Sequence, residues 1–308
     1  MGTRWSRALA LVAVQCLGCG DARPGRAEPR EPTSSAAAPI VEAMPEAVLL
    51  SRPPEEAVPL HERLRARHAV LQWRSVNSMV FALSDPIDAV LAHELYSNEY
   101  ENSGDWNVLA VDESFAAALV ENGVLEVRRV DPSNASRWFE SRRNALAASW
   151  QAELNARGPA YAQQVGSEPP SAAFEQELRG LCDMPLERVN SEPYFVRRGE
   201  RVRLLVAAVP RPLLFAAALF GGWNQAPDYD ENAVLHSYWS ERHGATPMFL
   251  GSGFLEFWVE RPPTDPESLR QLVWEQYLYA PDIVEQGTGG PERLANELTG
   301  NLWFFWWD

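Results

Sequence analysis

The residues most capable of chemistry lie in the last third of the chain, and most are acidic. Glu275, Asp282 and Asp308 stand among aromatic residues, and His243 lies upstream within residues 240–244. Carboxylates beside aromatic side chains are typical of enzymes that hydrolyse glycosidic bonds. The same residues have structural uses, because an aspartate after a proline suits a turn and a histidine suits the end of a helix. These four residues are therefore catalytic candidates, and no catalytic residue is assigned.

The composition excludes several mechanisms. The sequence contains no lysine and its 27 basic residues are all arginine, so a Walker-type phosphate lysine, a Schiff base and a Ser-Lys dyad cannot form. His61 and His68, like His236 and His243, are seven residues apart, which is wider than the spacing of metal ligands on a helix. Cys182 has no activating neighbour and is expected to be a buried apolar side chain. We therefore expect no metal site and no cofactor.

Aromatic and amide side chains form a second set of candidates, for binding. Two glycines precede Trp223 and Asn224 and could cradle a phosphate, but the further glycines of a dinucleotide-binding loop are missing. A turn that ends a strand over a buried tryptophan is the better interpretation. The binding candidates are Trp223, Asn224, Tyr238, Trp239, Tyr279 and Gln286.

The first 18 residues have the organisation of a bacterial export signal. Two arginines precede an apolar run over residues 8–14, which is too short to span a bilayer, because a spanning helix needs about 20 residues. Leucine and glycine precede Cys19 as in a lipobox, although Cys16 stands where such signals usually have leucine. A redox pair of the two cysteines is the alternative, but a signal peptide is a poor place for one. We predict that residues 1–18 are cleaved and that Cys19 is lipidated.

Charge and composition indicate where the rest of the chain works. The formal net charge is −15, which disfavours nucleic acid and anionic lipid headgroups as partners. Residues 19–59 are rich in proline, alanine and glutamate and lack periodicity, as expected of a disordered tether between the lipid and a folded domain. Gly20, rather than aspartate, follows Cys19, which favours sorting to the outer membrane. The predicted location is therefore the bacterial cell envelope, with the lipid as the membrane contact.

Residues 60–202 are predicted to form an α/β region packed on a C-terminal domain. The predicted strands are residues 78–83, 106–111 and 124–130. The predicted helices are residues 60–71, 85–96, 113–121, 133–157 and 171–181. Residues 158–170 are predicted to be a loop.

Residues 203–308 predict an α+β fold, an antiparallel or mixed β-sheet with helices packed on it. The predicted strands are residues 203–209, 213–220, 248–250, 254–260 and 303–307. The predicted helices are residues 231–243, 265–279 and 291–300. Asp230 is the predicted cap of the first of these helices.

The end of the chain is unusually aromatic. Its last six residues include three tryptophans and two phenylalanines, and a terminus this apolar must be buried. We therefore predict that the C-terminal strand is buried in the sheet, at or near its centre, under the helices over residues 231–243 and 265–279. Alternation along a strand places Trp303, Phe305 and Trp307 on one face and the other two aromatic residues on the opposite face.

Three motifs of the C-terminal region occur together in one known family. They are Tyr-Trp-Ser-Glu-Arg-His-Gly-Ala at residues 238–245, Glu-Arg-Pro-Pro at residues 260–263 and Tyr-Ala-Pro-Asp-Ile-Val-Glu-Gln-Gly at residues 279–287. In this order and spacing, residues 203–308 resemble the bacterial family called domain of unknown function 4253. The resemblance implies a fold unit and no reaction.

Two functions remain open at this point. The first is a membrane-tethered lipoprotein whose C-terminal domain binds a protein or a small molecule without catalysis, since no nucleophile, metal spacing or cofactor loop stands out. The second is an envelope hydrolase that uses Glu275, Asp282 or Asp308 with His243. The two differ in one geometric consequence, because a hydrolase requires these groups to converge in one concave, partly open pocket.

Overall fold

The computed structural model covers most of the chain after the predicted tether. It describes residues 47–76, 79–100, 104–124, 130–181, 188–189, 191–199, 201–218, 220–223 and 225–307. The predicted signal peptide, Cys19 and most of the predicted tether lie outside the described residues, as do Cys182, Asn224 and Asp308. Within the described ranges, no helix is long and apolar enough to cross a membrane.

One mixed sheet of nine strands runs through the described part of the chain. The strands are Val48–Leu49 (β1), Leu71–Val76 (β2), Met79–Ser84 (β3), Ile87–Asp88 (β4), Asn107–Val111 (β5), Arg201–Ala207 (β6), Ala245–Gly251 (β7), Phe254–Val259 (β8) and Leu302–Trp306 (β9). Their order is β1-β2-β3-β6-β5-β7-β8-β9, and β4 pairs with β6 outside this path. β5 and β7 are parallel, with Ala110 opposite Phe249, and the other pairs are antiparallel.

Helices pack around this sheet. They are Val58–Ala66 (α1), Ala89–Glu99 (α2), Glu113–Asn122 (α3), Ala135–Arg157 (α4), Pro159–Val165 (α5), Pro170–Gly180 (α6), Tyr194–Arg198 (α7), Leu214–Ala217 (α8), Tyr229–His243 (α9), Pro266–Tyr279 (α10) and Pro291–Leu298 (α11). A π-helical turn, Ile283–Thr288, follows α10. The predicted α+β class is confirmed.

Strand β6 connects the two predicted regions. It pairs with β3 through Phe81 and Ala207, and with β5 through Leu109 and Leu205. Since β3 and β5 precede residue 203 and β6 extends into the following region, both regions contribute to one hydrogen-bonded sheet. The C-terminal strands are therefore continuous with those that come before them.

Helix α9 shows how the sequence sets an element's bounds. The Asp228 carboxylate accepts from the Glu231 backbone N–H at 2.8 Å, and the Glu231 carboxylate accepts from the Asp228 backbone N–H at 3.0 Å. This reciprocal capping box begins the helix, so the predicted cap at Asp230 was wrong by two residues. Gly244 ends it at a φ of 61°, a left-handed conformation that glycine adopts without strain.

Residues 213–220 are the clearest error of the sequence interpretation. They were predicted to be a strand, but Arg211–Leu213 is a 3-10 turn and Leu214–Ala217 is α8. Every residue of α8 is buried, and a fully buried helix has no polar side to reveal its period. Residues 158–170 also differ from the predicted loop, because Pro159 starts α5 at a position where proline suits a helix.

The C-terminal strand is buried as predicted, but it lies in a different place. β9 pairs with β8 and forms the edge of the described sheet, so the predicted central position was wrong. The predicted alternation is confirmed, because Trp303, Phe305 and Trp307 are at most 5% exposed while the side chains between them are half-buried. Trp239 of α9 stacks on Phe305 at 5.7 Å. The two predicted helices therefore cover one face of an edge strand.

Candidate functional site

His243 lies at the end of α9 and is 7% exposed. Its Nδ1 lies 3.3 Å from the backbone oxygen of Arg261, and its ring makes an edge contact with Trp303 at 5.4 Å. Burial is the main cause that lowers its pKa, to about 4. His243 is therefore neutral near pH 7 and helps to close the helix against the C-terminal strand.

Glu275 is buried between α9 and α10. It accepts hydrogen bonds from Tyr238 Oη at 2.7 Å, Trp239 Nε1 at 3.0 Å and Gln271 Nε2 at 2.8 Å. Burial raises the pKa of this carboxyl, and the three donors oppose that effect. Because Tyr238 and Trp239 belong to the neighbouring helix, Glu275 joins the two helices. Tyr238 and Trp239, two of the predicted binding residues, thus donate their hydrogen bonds to a buried structural carboxylate.

Tyr279 belongs to a second buried network. Its Oη donates to Asn232 Oδ1 at 2.8 Å and lies 3.0 Å from His236 Nε2. The Asn232 amide nitrogen donates to the backbone oxygen of Phe220, which fixes the amide orientation. Since the tyrosine proton goes to Asn232, His236 donates from Nε2 and its Nδ1 carries the lone pair. Burial lowers the pKa of His236 to about 3, so this network holds a neutral histidine in the core.

Asp282 lies in a cleft of about 240 Å³ between α4, α6 and the turn after α10. We call this the α4 cleft. Its chemically active lining residues are Trp150, Glu153, Tyr277, Asp282, Glu285 and Trp307. Among the described residues that line it, three are acidic and none is basic.

The acidic side of the α4 cleft comes from the π-helical turn. Asp282 immediately precedes that turn and Glu285 lies in it, so both follow the end of α10 directly. Tyr277 Oη donates to Glu285 Oε1 at 2.9 Å, and Gln286 Nε2 donates to Asp282 Oδ1 at 3.2 Å. Burial is the main cause that raises the pKa of Glu285, and the nearby charge of Asp282 adds to it. The turn therefore presents two electrostatically coupled carboxyl groups.

The opposite side of the α4 cleft comes from α4, which the sequence interpretation did not connect with any site. Trp150 and Glu153 are three residues apart and so share a helix face. Tyr161 Oη donates to Glu153 Oε1 at 2.9 Å. Arg142, also on α4, donates to the backbone oxygens of Leu278 and Gln225, and so fixes the end of α10 against α4. The pairing of tryptophan and glutamate on one face was the signal available in the sequence.

Two indole groups at the wall of the α4 cleft lack hydrogen-bond partners. Trp150 Nε1 and Trp307 Nε1 are enclosed, and no described residue accepts from either. Trp307 is 5% exposed, whereas Trp150 is half-buried. Buried polar groups normally have a partner, so these two donors require an explanation.

A second cleft, of about 530 Å³, lies beside His243 and is lined by arginines and acids. Two of its lining arginines, Arg242 and Arg261, already have protein partners. Arg261 donates to the backbone oxygens of Ser240 and Glu241, where it caps α9, and Arg242 donates to Tyr238 Oη at 2.6 Å. The side chains of Arg242 and Arg261 therefore have a structural role at the C-terminal end of α9.

The predicted site residues are therefore distributed over separate places. His243 lines the second cleft, Glu275 is enclosed between two helices, and Asp282 lines the α4 cleft. Trp223 is half-buried and packs against Trp307 at 6.2 Å, next to the α4 cleft. No group of three or more histidine, cysteine or acidic side chains is placed to hold a metal ion in the described part of the chain. The structure does not bring His243, Glu275 and Asp282 together.

Comparison with known proteins agrees with the resemblance seen in the motifs. No curated protein and no solved structure matches the chain. Residues 203–308, which contain α9, α10, the π-helical turn and the aromatic end, match the family model described as Domain of unknown function (DUF4253).

Proposed function

We propose that this protein is a lipoprotein of the bacterial cell envelope, tethered through Cys19, that binds a ligand in the α4 cleft without catalysis. The lipobox-like sequence before Cys19 and the proline-rich segment after it support the tether. The acidic character of the chain supports a role away from nucleic acid and makes the lipid the membrane contact.

One observation carries the binding proposal, namely the composition of the α4 cleft. Six of its lining residues, among them Tyr277, Asp282 and Trp307, lie in the matched residues 203–308, and Trp150 lies in the preceding region. Concave sites that combine aromatic side chains with a few placed polar groups are the usual sites for small molecules. This cleft therefore unites both regions around a surface suited to one ligand.

A glycoside hydrolase is the second candidate, because Asp282 and Glu285 share the cleft. A carboxyl with a raised pKa can donate a proton, and a neighbouring carboxylate can assist as base or nucleophile. Glu275 and His243 lie outside this cleft and do not take part in that arrangement. Product analysis with the ligand separates the two candidates.

Filling the cleft tests the binding proposal. Ser149 is exposed and lines the α4 cleft, whereas Ala148, its neighbour on α4, is exposed and does not line it. Full-length protein in detergent is screened by thermal shift against sugars, amines, amino acids and nucleotides. We expect at least one compound to raise the melting temperature of the wild type and of Ala148→Trp but not of Ser149→Trp. If no compound does so, or if the shift survives in Ser149→Trp, the proposal is wrong.

A further inference from the structure

The second cleft, beside His243, has the size of a small-molecule site. Its volume of about 530 Å³ lies in the range of about 300–1,000 Å³ that such sites usually have. Two of the three C-terminal motifs, at residues 238–245 and 260–263, contribute to its lining, and Arg188 lines it from the preceding region. No described residue lines both this cleft and the α4 cleft.

His243 presents an unused acceptor to the second cleft. Burial lowers its pKa to about 4, so the ring is neutral near pH 7. Its Nδ1 donates to the backbone oxygen of Arg261 at 3.3 Å, because a carbonyl oxygen can only accept, and Nε2 therefore carries the lone pair. Nε2 forms no hydrogen bond with a described residue, and it is not enclosed, so solvent reaches it. Since the residue is only 7% exposed and lines the cleft, a ligand there meets this nitrogen.

Two lining arginines have no carboxylate as a partner in the described part of the chain. Arg188 is exposed and forms neither a hydrogen bond nor an ion pair with any described residue. Arg242 is also exposed, and it donates only to neutral side chains, to Tyr238 Oη at 2.6 Å and to Gln271 Oε1 at 3.2 Å. Both guanidinium groups therefore keep a positive charge that no described ion pair compensates.

The two acidic residues of the second cleft already have donors. Glu260 accepts from Tyr100 Oη at 2.8 Å and pairs with Arg261 at 3.3 Å. Asp265 accepts from the backbone N–H of Ser268 at 2.9 Å, where it begins α10. These contacts leave the charges of Arg188 and Arg242 to a ligand, so the lining favours an anion although the whole chain is acidic.

The lining also excludes other classes of ligand. An organic cation would face two guanidinium groups, and an apolar ligand would satisfy neither these groups nor the His243 acceptor. An anion without a donor, such as sulfate, would pair with the arginines but would leave His243 Nε2 unused. An oxyanion that also carries an O–H group meets both requirements.

We infer that the second cleft binds a small oxyanion that carries a hydroxyl group, with its charged oxygens on Arg188 and Arg242 and its O–H donating to His243 Nε2. The planar guanidinium group of arginine matches the oxygens of both phosphate and carboxylate groups. A hydrogen phosphate group and a hydroxycarboxylate both have this chemistry. This site is distinct from the α4 cleft of the proposed function.

Calorimetric titration of the full-length protein in detergent and Tris chloride tests the ligand class. Two matched pairs of anions differ in the O–H donor: phosphate against sulfate, and citrate against tricarballylate. We expect phosphate or citrate to bind at least about fivefold more tightly than its counterpart, the effect of one hydrogen bond. We expect this affinity to fall between about 0.05 and 0.5 M NaCl, because salt screens ion pairs. Glucose and putrescine, a neutral compound and a cation, should not bind.

Two substitutions test the two halves of the inference. Arg188→Gln should weaken binding of the anion at least about tenfold, as expected when a hydrogen bond to a charged group is lost. Arg65→Gln is the matched control, since Arg65 is exposed, has no partner among the described residues and does not line the cleft. His243→Asn keeps an N–H in place of Nδ1 but has no counterpart of Nε2. It should remove the preference within each pair, a ratio that a general loss of affinity does not change.

The outcomes decide the inference without involving the proposed function. Binding of phosphate alone or citrate alone supports it and identifies the anionic group. It is overturned if neither binds, if glucose or putrescine binds as tightly, or if both pairs show equal affinities in the wild type. Wild-type affinity in Arg188→Gln, or an unchanged preference in His243→Asn, also overturns it. Ser149→Trp in the α4 cleft should bind the anion as the wild type does, and a loss there would place the anion in the wrong cleft for this inference.

Discussion

Buried carboxylates in this protein hold separate elements together. Glu256, in β8, is 2% exposed and accepts from the backbone N–H groups of Tyr194 at 2.5 Å and Phe195 at 2.9 Å. These are the first N–H groups of α7, so Glu256 caps a helix that is distant in sequence. Burial is the main cause that raises its pKa, to about 7, while the two backbone hydrogen bonds oppose the rise.

Glu256 should make the stability of the protein depend on pH. Since its folded pKa of about 7 exceeds the ordinary value of 4.5, the folded state binds more protons between these values, and this residue's contribution falls as pH rises through that window. Glu256→Gln does not titrate. We expect its unfolding free energy, relative to wild type, to increase by at most about 3 kcal/mol between about pH 4 and pH 8. Urea unfolding measures this, with exposed Glu241→Gln as control, and a constant or decreasing difference would contradict it.

Glu275 should prove important for stability, whatever its role in function. Glu275→Gln replaces one acceptor oxygen with an NH2 group, which is itself a donor. That group then faces another donor, either Tyr238 Oη or Trp239 Nε1. We expect a loss of about 2–3 kcal/mol in unfolding free energy, because a buried donor is left unpaired. Glu267→Gln on the same helix is the control, since its side chain is 86% exposed, and it should change stability by less than about 0.5 kcal/mol. Equal melting curves for the two variants would show that Glu275 does not join the helices.

At the scale of elements, β9 is an edge strand with two unlike faces. Phe305 is fully buried between Trp239 at 5.7 Å and Tyr279 at 4.8 Å. Phe304, on the other face, is half-buried and contacts Tyr194 at 4.9 Å. The strand therefore contributes to the core mainly through alternate side chains.

Adjacent substitutions in β9 should differ in their effects. Phe305→Ala should cost about 3–5 kcal/mol, as expected when a phenylalanine is removed from a packed core. Phe304→Ala should cost about 1 kcal/mol, a typical value for a point substitution. Denaturant unfolding of both variants checks the difference. Equal losses would mean that both faces of β9 are equally packed.

Helix starts were easier to predict than fully buried segments. The pair Asp265 and Pro266 indicated the start of α10, and the structure has the Asp265 carboxylate accepting from the Ser268 backbone N–H at 2.9 Å. That bond is local, so the sequence suffices to predict it. Residues 213–218 lacked any such cap or polar face, and their burial removed the periodicity on which the prediction depended.

At the scale of the whole molecule, the lipid anchor remains a prediction from the sequence. Changing Cys19 to Ala should move the protein from the membrane to the soluble envelope fraction, because the attached lipid is the expected source of membrane affinity. Cys16→Ala is the control, since that residue belongs to the predicted cleaved segment, and this variant should stay with the membrane. Fractionation followed by immunoblotting measures the result. Membrane association of Cys19→Ala would refute the anchor.

The sequence by itself determined the local features: the α+β class, the start of α10, the alternation of the aromatic end and the resemblance of residues 203–308 to a family. Each depends on residues close together in the chain, or on a periodic pattern. Only the tertiary structure decided that β9 lies at the sheet edge. It also placed Glu275 between α9 and α10 but Asp282, seven residues later, in the α4 cleft. It also brought Trp150 to the same cleft as Trp307. The physical reason is that strand order and clefts are set by packing between distant segments, which local patterns do not specify.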